Sequence, residues 1–498
     1  MPFKSFFALI FAKYIVFKNS FWKKNAIEVQ RKTLLSLVST AKNTSFGKDH
    51  NFNQIRGYDD WKRNVPIRDY EALLKYIKRL ISGEKDVLWP GSPIYFCKTS
   101  GTTSGTKYIP ISRESMSHHI ISARDAILSY IAESKNANIV DGKMIFLQGS
   151  PKLKKTGSVL TGRLSGIVAH HVPKYLLKNR LPSYDTNCID NWEEKINSIV
   201  NETVSENMTL IGGIPPWVQM YFEKLIEKTN SSIGDIFPNL SVYMYGGVNF
   251  EPYKNSFKAL INKKITGIEL YPASEGFIAY QDSQKEMGMT LCVNNNIFYE
   301  FIAVSDFNNG SSKRVWLKDV SLDTNYVIIL NTNAGLWGYN IGDTVKFVSI
   351  NPYKIIVTGR IKHFTSAFGE HVIAEEVESS LKEALSVMSA EIKEFHVAPQ
   401  VNPKSGLPFH EWFIEFERAP SCLNEFALLL DSNLQKRNVY YKDLITDGIL
   451  RTLKISCVKK NGFINYMKSV GKLGGQNKTP RLANDRLIAN QLTILKND

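Results

Sequence analysis

Apolar side chains recur along the chain at two spacings, and the spacing predicts which segments form helices and which form strands. Apolar positions every three or four residues across 25–45 and 70–81 predict amphipathic helices, the second one capped by Asp69. Short apolar runs at 144–147 and 209–211 predict buried strands between helical segments. Strands that alternate with helices are typical of an α/β fold with a largely parallel sheet.

The pattern changes twice in the second half of the chain. Residues 298–330 are rich in strand-forming side chains, and residues 308–310 predict a hairpin turn within them. Residues 372–387 then predict a charged amphipathic helix, followed by strand, strand, helix and strand signals up to residue 458. We therefore expect a large N-terminal α/β domain with mixed or parallel sheets, and a small α+β C-terminal cap domain.

The first apolar run needs a separate interpretation. Residues 6–12 and 14–17 are apolar, but Lys13 interrupts them, and the run is too short to span a bilayer. It also lacks the uninterrupted core and small-residue cleavage site of a secretory signal. We predict an amphipathic or buried first helix without stable membrane insertion, with membrane association as the alternative.

Composition limits the cellular context and the partners. The 498 residues carry a formal net charge of +15, but the lysines are scattered rather than grouped with aromatic residues, so we do not expect nucleic-acid binding. The five cysteines are dispersed, which favours free thiols in a reducing compartment and predicts a cytoplasmic protein. Oligomeric state is not predicted.

A hydroxyl-rich loop between residues 98 and 107 is the main candidate for chemistry. Glycines let backbone N–H groups face a ligand, while hydroxyls and lysines bind oxyanions, so the loop suits a polyphosphate. Apolar, extended segments flank it on both sides, so it joins strand to strand and differs from a Walker loop, which opens a helix. A polar hairpin turn without a ligand is the alternative. The predicted phosphate-binding residues are Ser100, Gly101, Thr102, Thr103 and Ser104.

Two further strands are predicted to end near one crevice, where ligands of open α/β sheets bind. The first ends at Gly246 and Gly247, which allow a flat base to approach the backbone. The second ends before Tyr271, whose ring can stack on that base, and Ser274, which can reach a phosphate. Glu275 would then hold Mg²⁺, although an exposed loop carboxylate without a ligand is the alternative interpretation.

Two segments nearer the C-terminus add charged candidates. Asp343 follows Gly342 and is suited to accept both ribose hydroxyls. Gly474 and Gly475 precede Lys478, and a glycine segment suits a lysine that moves into a site. A basic loop without contacts is the alternative for Lys478.

These motifs, taken in order, resemble a known family. Residues 99–105 resemble the phosphate-binding signature of the adenylate-forming, firefly-luciferase-like superfamily. The amino-acid sequences of residues 88–91, 108–110 and 271–275 are similar to those of the auxin-responsive acyl acid amido synthetases and their bacterial relatives. The resemblance implies a ribose contact by Arg360 and a hinge at 359–364. It also implies a large domain over 1–358, a cap over 365–498 and catalytic roles for Glu275 and Lys478.

The resemblance further implies a ligase that uses ATP and Mg²⁺. A carboxylic acid would be adenylated to an acyl-AMP, and an amine, by resemblance an amino acid, would take the acyl group as an amide. Another adenylate-forming ligase with coenzyme A as acceptor and a non-catalytic nucleotide-binding protein are the alternatives. The acyl acid is not predicted.

Overall fold

The computed structural model describes residues 3–100, 106–173, 177–248, 250, 253–311, 313–361, 364–365, 367–370, 372–470 and 479–492. The α-helices in these ranges are α1 (Phe3–Lys24), α2 (Ala26–Ala41), α3 (Ser45–Asp49), α4 (Tyr58–Asn64), α5 (Tyr70–Ile81), α6 (Arg113–Ser134), α7 (Leu164–Ala169), α8 (Tyr184–Asn187), α9 (Trp192–Thr203), α10 (Pro215–Thr229), α11 (Ile233–Ile236), α12 (Lys254–Ile261), α13 (Val304–Asn308), α14 (Ala374–Val387), α15 (Leu423–Arg437), α16 (Val439–Thr446) and α17 (Gly462–Ser469).

The strands in the described ranges form one large sheet and three smaller ones. They are β1 (Tyr95–Ser100), β2 (Thr106–Ile111), β3 (Lys143–Phe146), β4 (Lys154–Thr156), β5 (Val159–Gly162), β6 (Arg180–Leu181), β7 (Met208–Gly212), β8 (Val242–Gly246), β9 (Thr266–Ala273), β10 (Gly276–Tyr280), β11 (Met289–Leu291), β12 (Ile297–Ala303), β13 (Val315–Trp316), β14 (Asn325–Thr332), β15 (Tyr339–Ile350), β16 (Tyr353–Arg360), β17 (Phe364–Thr365), β18 (Val372–Ile373), β19 (Glu391–Gln400), β20 (Phe409–Arg418) and β21 (Lys454–Cys457).

The large sheet is mixed, which confirms the predicted α/β class. Its order is β13-β12-β14-β15-β16-β11-β10-β9-β8-β7-β3-β6. Strands β9, β8, β7, β3 and β6 run parallel, whereas the pairings from β9 through β10 to β13 are antiparallel. The expected largely parallel sheet is therefore confined to one half, because the second half is built from consecutive β-rich segments without crossover helices.

Both faces of the parallel half are covered, and successive residues point to opposite faces. Met144 and Leu210 pack with residues of α1 and α6 on one face. Ile145 and Ile211 pack with α9 and α10 on the other. That second apolar cluster continues into residues between 367 and 482, so the C-terminal part of the chain packs on the large sheet.

The smaller sheets lie around this core. Strands β2, β1, β5 and β4 form a four-stranded sheet that contains both flanks of the hydroxyl-rich loop. Strands β19, β20 and β21 form a three-stranded sheet in the C-terminal part, with α14 and α15 packed against each other. The predicted large and small parts are thus confirmed. The boundaries at residues 358, 359–364 and 365 stay a prediction, and β16 continues through Arg360.

Two local predictions were wrong. Residues 308–310 lie in the connection between antiparallel β12 and β13, but they do not form a tight hairpin turn, because α13 ends at Asn308 and the chain leaves it through Gly310 with a positive φ of 72°. The strand predicted to end near residue 270 continues to Ala273, because β10 returns antiparallel beside it.

The first helix is amphipathic, and its aromatic side faces outward. Its buried residues are few and mostly small or polar: Ser5, Ala12, Ile15 and Asn19. The phenylalanines and Tyr14 of α1 are exposed, whereas Trp22 is half-buried. Across the described residues, no helix is both long enough and apolar enough to cross a membrane.

A buried ion pair joins α4 to the antiparallel half of the sheet. The guanidinium Nε of Arg314 lies 3.1 Å from a carboxylate oxygen of Glu300, with side chains only 4% and 0% exposed. Trp61 and Asn331 donate hydrogen bonds of 3.0 and 2.9 Å to the same carboxylate. The charge of Glu300 is therefore compensated in the core by one cation and two neutral donors.

Replacing Arg314→Met is expected to destabilise the protein by about 3–5 kcal/mol, because Glu300 would remain charged and uncompensated in the core. The control is Arg418→Met, which breaks the exposed pair with Glu391 and should cost about 0–1 kcal/mol. The measurement is the midpoint of urea unfolding followed by tryptophan fluorescence. Equal shifts in the two variants would contradict the assigned role of the pair.

Candidate active site

The ends of β8 and β9 form the floor of the candidate site. Gly246 pairs with Leu270 in parallel register, and a Cβ at Gly246 would lie 2.2 Å from the carbonyl oxygen of Leu270. Gly247 has φ +80°, a conformation that side-chain-bearing residues rarely adopt. The close approach of the two strands therefore requires glycine at position 246, and the positive φ favours glycine at position 247.

Tyr271 lies on β9 one residue past Leu270 and contacts the third predicted motif. Its hydroxyl donates a 2.5 Å hydrogen bond to the Oδ2 atom of Asp343, and both residues are buried. The structure thus brings Tyr271 and Asp343 together as the sequence predicted. The phenol has an additional function that the sequence did not suggest, because its hydroxyl orients the predicted ribose-binding carboxylate.

Asp343 and Arg360 are neighbours across two strands. They lie opposite each other in the antiparallel pairing of β15 and β16. Gly342 precedes the aspartate with φ +89°, and its N–H donates a 2.9 Å hydrogen bond to the side chain of Asn340. Gly342 lies within β15, at a point where the pairing of β15 with β14 is irregular. The structure describes the backbone of Arg360, and the orientation of its side chain stays outside the description.

Ser274 and Glu275 form the turn between β9 and β10, beside the strand that leads into the hydroxyl-rich loop. The Cys97 thiol, on β1, lies 3.1 Å from the Ser274 hydroxyl. Burial raises the pKa of Cys97 to about 12, and the nearby negative charge of Glu275 acts in the same direction. The turn and the loop strand therefore meet, with the carboxylate of Glu275 close to β1.

The flanks of the hydroxyl-rich loop are those that the sequence predicted. Ser100 and Thr106 face each other at the end of the antiparallel pair β1–β2. Gly101, Thr102, Thr103 and Ser104 lie outside the described residues, as does the side chain of Ser100. The two strands therefore fix the two ends of the loop, and Cys97, three residues before Ser100, contacts Ser274.

Lys478 also lies outside the described residues, but the chain that follows it is attached to the C-terminal sheet. The N–H of Val397 donates a 2.9 Å hydrogen bond to the carbonyl oxygen of Arg481. The Nδ1 atom of His396 lies 2.6 Å from the carbonyl oxygen of Pro480. These contacts fix the backbone three residues beyond Lys478 to β19.

Three residues near the loop were not predicted as site residues. The hydroxyl of Tyr440, on α16, donates a 2.9 Å hydrogen bond to the carbonyl oxygen of Lys98. Arg163 lies 4.9 Å from the Tyr440 ring and forms a 2.6 Å ion pair with Asp443. Burial raises the pKa of Tyr440 to about 12, so the phenol is protonated and donates at neutral pH. No local pattern in the sequence signals this contact, since its partners are 342 residues apart.

Three further side chains lie in structural positions. Trp217 packs half-buried against the apolar cluster that joins the large sheet to the C-terminal part. His119 is buried on α6, and burial lowers its pKa to about 4. His170 lies 2.7 Å from the carbonyl oxygen of Pro151, so both histidines fit a structural role.

A cavity of about 740 Å³ lies away from these residues. Its walls come from α9, α10, residues 401–408 and residues 446–449, and they include Gln219, Glu223 and Tyr253. None of the predicted site residues in the described ranges contributes to it. The candidate site is therefore defined by the convergence of the motifs at the strand ends and not by this cavity.

Comparison with known protein families shows which family the chain belongs to. The GH3 family N-terminal domain matches residues 20–186, the central domain residues 290–360 and the C-terminal domain residues 375–487. The three matches occur in order and together cover well over half of the chain. The chain belongs to the GH3 family. This confirms the resemblance to the acyl acid amido synthetases.

Curated members of the GH3 family are similar over nearly the full length. A jasmonoyl–L-amino acid synthetase of Nicotiana attenuata, JAR4, is 22% identical, over 92% of this chain and 91% of that protein. The indole-3-acetic acid-amido synthetase GH3.3 of Arabidopsis thaliana is 20% identical, over 92% and 89%. These identities are low, and they leave the acyl substrate of this GH3 protein open.

Solved structures confirm the fold. A GH3.15 acyl acid amido synthetase in complex with 2,4-DB matches with a TM-score of 0.62 and 16% identity, over 97% of this chain and 96% of that one. A 2-hydroxyisobutyryl-CoA ligase in complex with 2-HIB-AMP and CoA matches with a TM-score of 0.59 and 13% identity, over 94% and 91%. The chain therefore has the fold of these structures, as the resemblance implied.

The environment of Cys97 predicts its reactivity. Because the thiolate is the reactive species and burial raises its pKa to about 12, Cys97 in the native protein should resist N-ethylmaleimide at pH 7.5. Cys292 is equally buried and should also resist, whereas the half-buried Cys188, Cys422 and Cys457 should react. Mass spectrometry of peptides measures the labelling, and protein in guanidinium chloride serves as the control in which all five react. Rapid labelling of native Cys97 would contradict its packing against Ser274.

Proposed function

We propose that this GH3 protein is an ATP-dependent acyl acid amido synthetase. The carboxylate oxygen of an acyl acid attacks the α-phosphorus of ATP, the bond to the β-phosphate oxygen breaks, and pyrophosphate leaves. The product is an acyl-AMP. An amino acid amine then attacks the acyl carbon, AMP leaves as the phosphate anion, and the amine loses a proton to form the amide.

One observation carries the proposal: the β9–β10 turn is connected both to the loop strand and to the predicted ribose-binding aspartate. Ser274 contacts Cys97 on β1 at 3.1 Å, and Tyr271, three residues earlier, contacts Asp343 at 2.5 Å. An adenine bound against Gly246 and Gly247 would have its ribose at Asp343 and its phosphates toward β1 and the hydroxyl-rich loop. Base, ribose and phosphates follow one another in that order in a nucleoside triphosphate.

Phosphoryl chemistry of this kind depends on charge neutralisation more than on covalent catalysis. The described residues contain no group of three His, Cys, Asp or Glu side chains that could enclose a metal ion. Mg²⁺ commonly uses one or two carboxylates, with substrate phosphates and water as its other ligands, so Glu275 alone fits the requirement. Bound Mg²⁺ would neutralise phosphate charge, and Glu275 would hold it beside β1.

The remaining predicted residues have roles in the same proposal. Ser100, Gly101, Thr102, Thr103 and Ser104 would bind the phosphates, and Arg360 would support Asp343 at the ribose. Lys478 would stabilise the negative charge that develops in the first step. Movement of the cap, residues 365–498, about a hinge at 359–364 would deliver Lys478 and limit access of water to the mixed anhydride.

The dispersed thiols support the proposed cellular location. All five cysteines are free in the structure. Free, dispersed thiols are typical of reducing compartments. We therefore place the proposed reaction in the cytoplasm.

Replacing Glu275→Gln should lower carboxylate-dependent pyrophosphate release by about 10²–10³-fold, because the ligand for Mg²⁺ loses its charge. The assay contains ATP, Mg²⁺ and a panel of carboxylic acids, and it reports kcat/KM for pyrophosphate formation. Glu425→Gln, on the exposed surface of α15, is the control and should behave as the wild-type protein. Unchanged release in Glu275→Gln would contradict the assignment.

The identity of the acyl acceptor in the second step is tested in the same assay, with the same carboxylic acids. Mass spectrometry after addition of amino acids or coenzyme A distinguishes an amide from a thioester. An amide is the expected product, whereas a thioester would assign the protein to the coenzyme A ligases. ATP binding without pyrophosphate release, with every acid, would indicate a non-catalytic nucleotide-binding protein.

Tyr440→Phe should lower kcat/KM for pyrophosphate release by about fivefold, since a hydrogen bond of ordinary strength between the cap and β1 is worth about 1 kcal/mol. Tyr466→Phe removes a hydroxyl from the same part of the chain and serves as the control. The binding of ATP, measured by calorimetry, should change less than the rate of release. Identical rates in both variants would show that the Tyr440–Lys98 contact is not used in the reaction.

A further inference from the structure

The outward side of α1 carries a continuous aromatic face. Eight of its apolar side chains are between 45% and 79% exposed, which is unusual for residues of this size in one helix. They contact one another, with ring centroids 4.6 Å apart for Phe3 and Phe7 and 5.1 Å apart for Phe17 and Phe21. The residues of the α1 aromatic face are Phe3, Phe6, Phe7, Ile10, Phe11, Tyr14, Phe17 and Phe21.

The opposite side of α1 is firmly attached to the protein. The amide of Asn19 donates a 2.8 Å hydrogen bond to buried Asp125 on α6, and the Ser5 hydroxyl donates to the carbonyl oxygen of Ala137 at 3.2 Å. Lys23 forms a 2.5 Å ion pair with Asp282. These polar contacts determine which side of the helix faces the protein, so the aromatic face is held outward by specific bonds.

Positive charge borders the aromatic face on both sides. At 100° per residue, the face is centred near the direction of Phe3 and Phe21. Lys4 and Lys18 lie along one border, and Lys13 and Lys24 lie along the other. Helix α1 contains no aspartate or glutamate, and the carboxylates it contacts, Asp125, Asp141 and Asp282, belong to its attached side.

We propose that α1 binds the surface of anionic lipid bilayers. Helices that lie in the plane of a membrane have an aromatic and aliphatic side bordered by lysines, which reach the phosphates. A 22-residue helix with lysines at positions 13 and 18 lies on the surface and does not cross it. The surface is exposed and requires no rearrangement of the fold.

The lysines that border the α1 aromatic face favour an anionic lipid surface over a second copy of the chain as the partner of this face. Two α1 aromatic faces packed together would bring four bordering lysines from each copy into proximity, within a protein that already carries +15. Their repulsion opposes such a dimer. An anionic bilayer is attracted by the same lysines, by roughly one kcal/mol for each one near the surface.

The proposal is tested by co-sedimentation of the full chain with vesicles of phosphatidylcholine, with or without 30% phosphatidylglycerol. Binding is expected to vesicles with phosphatidylglycerol at 50 mM salt, and to fall at least tenfold at 500 mM salt or without the anionic lipid. Equal binding to both vesicle types, or to neither, would overturn the proposal.

Two sets of variants separate the contribution of the exposed apolar side chains to vesicle binding from that of the bordering lysines. The triple variant Phe7→Gln, Ile10→Gln and Phe17→Gln should lose at least tenfold in partition coefficient, with the fold intact because these side chains are exposed. Its control replaces three equally exposed apolar residues elsewhere, Met287→Gln, Leu428→Gln and Leu487→Gln, and should bind as the wild type.

The charge variant Lys4→Gln, Lys13→Gln and Lys18→Gln should lose about 10²-fold in partition coefficient. Its control neutralises three exposed lysines outside α1, at Lys85, Lys404 and Lys459, and so matches the change in net charge. Equal losses in the variant and the control would show that net charge alone is responsible and would overturn the role of α1. Analytical ultracentrifugation tests whether a second copy of the chain covers the α1 aromatic face instead. A wild-type dimer that becomes monomeric in the aromatic triple variant, without vesicle binding, would identify the face as a contact between copies and would overturn the proposal.

Discussion

The curl of the large sheet is the constraint on which the candidate site depends. Four strand spacings separate β9 from β15, which in a flat sheet would place them about 19 Å apart. The hydroxyl of Tyr271 and the carboxylate of Asp343 nevertheless lie 2.5 Å apart. Irregular pairing near Phe277 in β10, and between Thr344 and Val345 in β15, marks the positions where bulges bend the strands. The curl brings two motifs that are remote in sequence together within the candidate site, where the Tyr271–Asp343 hydrogen bond joins them.

Much of the fold could be predicted because its signals are local. The cap of α5 is an example, since Asp69 accepts a hydrogen bond from the N–H of Ala72 as its position before an amphipathic run predicted. The buried strands β3 and β7 follow from short apolar runs. The antiparallel half was less predictable, because short strands such as β11 have only three residues and carry too little pattern. Residues 308–310 show the same limit, since the turn residues Asn and Gly end helices as readily as they join strands.

The sequence predicted which segments meet, but not the contacts between them. Tyr271, Ser274 and Asp343 were predicted to share one site, and the structure brings their segments together, while their roles stay a prediction. The sequence did not indicate that the Tyr271 phenol would orient Asp343 or that Cys97 would contact Ser274. The contact of Tyr440 with Lys98 was equally hidden. Each of these depends on how distant elements pack, which a local pattern does not contain. The residues of the hydroxyl-rich loop and Lys478 stay predictions from sequence.

The first helix shows why an apolar run alone does not determine which side of a helix is buried. Its aromatic residues suggested a buried or amphipathic helix, and hydrophobic burial alone would have turned them toward α6. The side that docks instead carries Ser5 and Asn19, whose partners at Ala137 and Asp125 lie in or beside α6. Turning the helix by half a turn would take the Asn19 amide away from buried Asp125, which would keep its ion pair with Arg124. The polar contacts are specific to the observed orientation, and the aromatic face is exposed in that orientation.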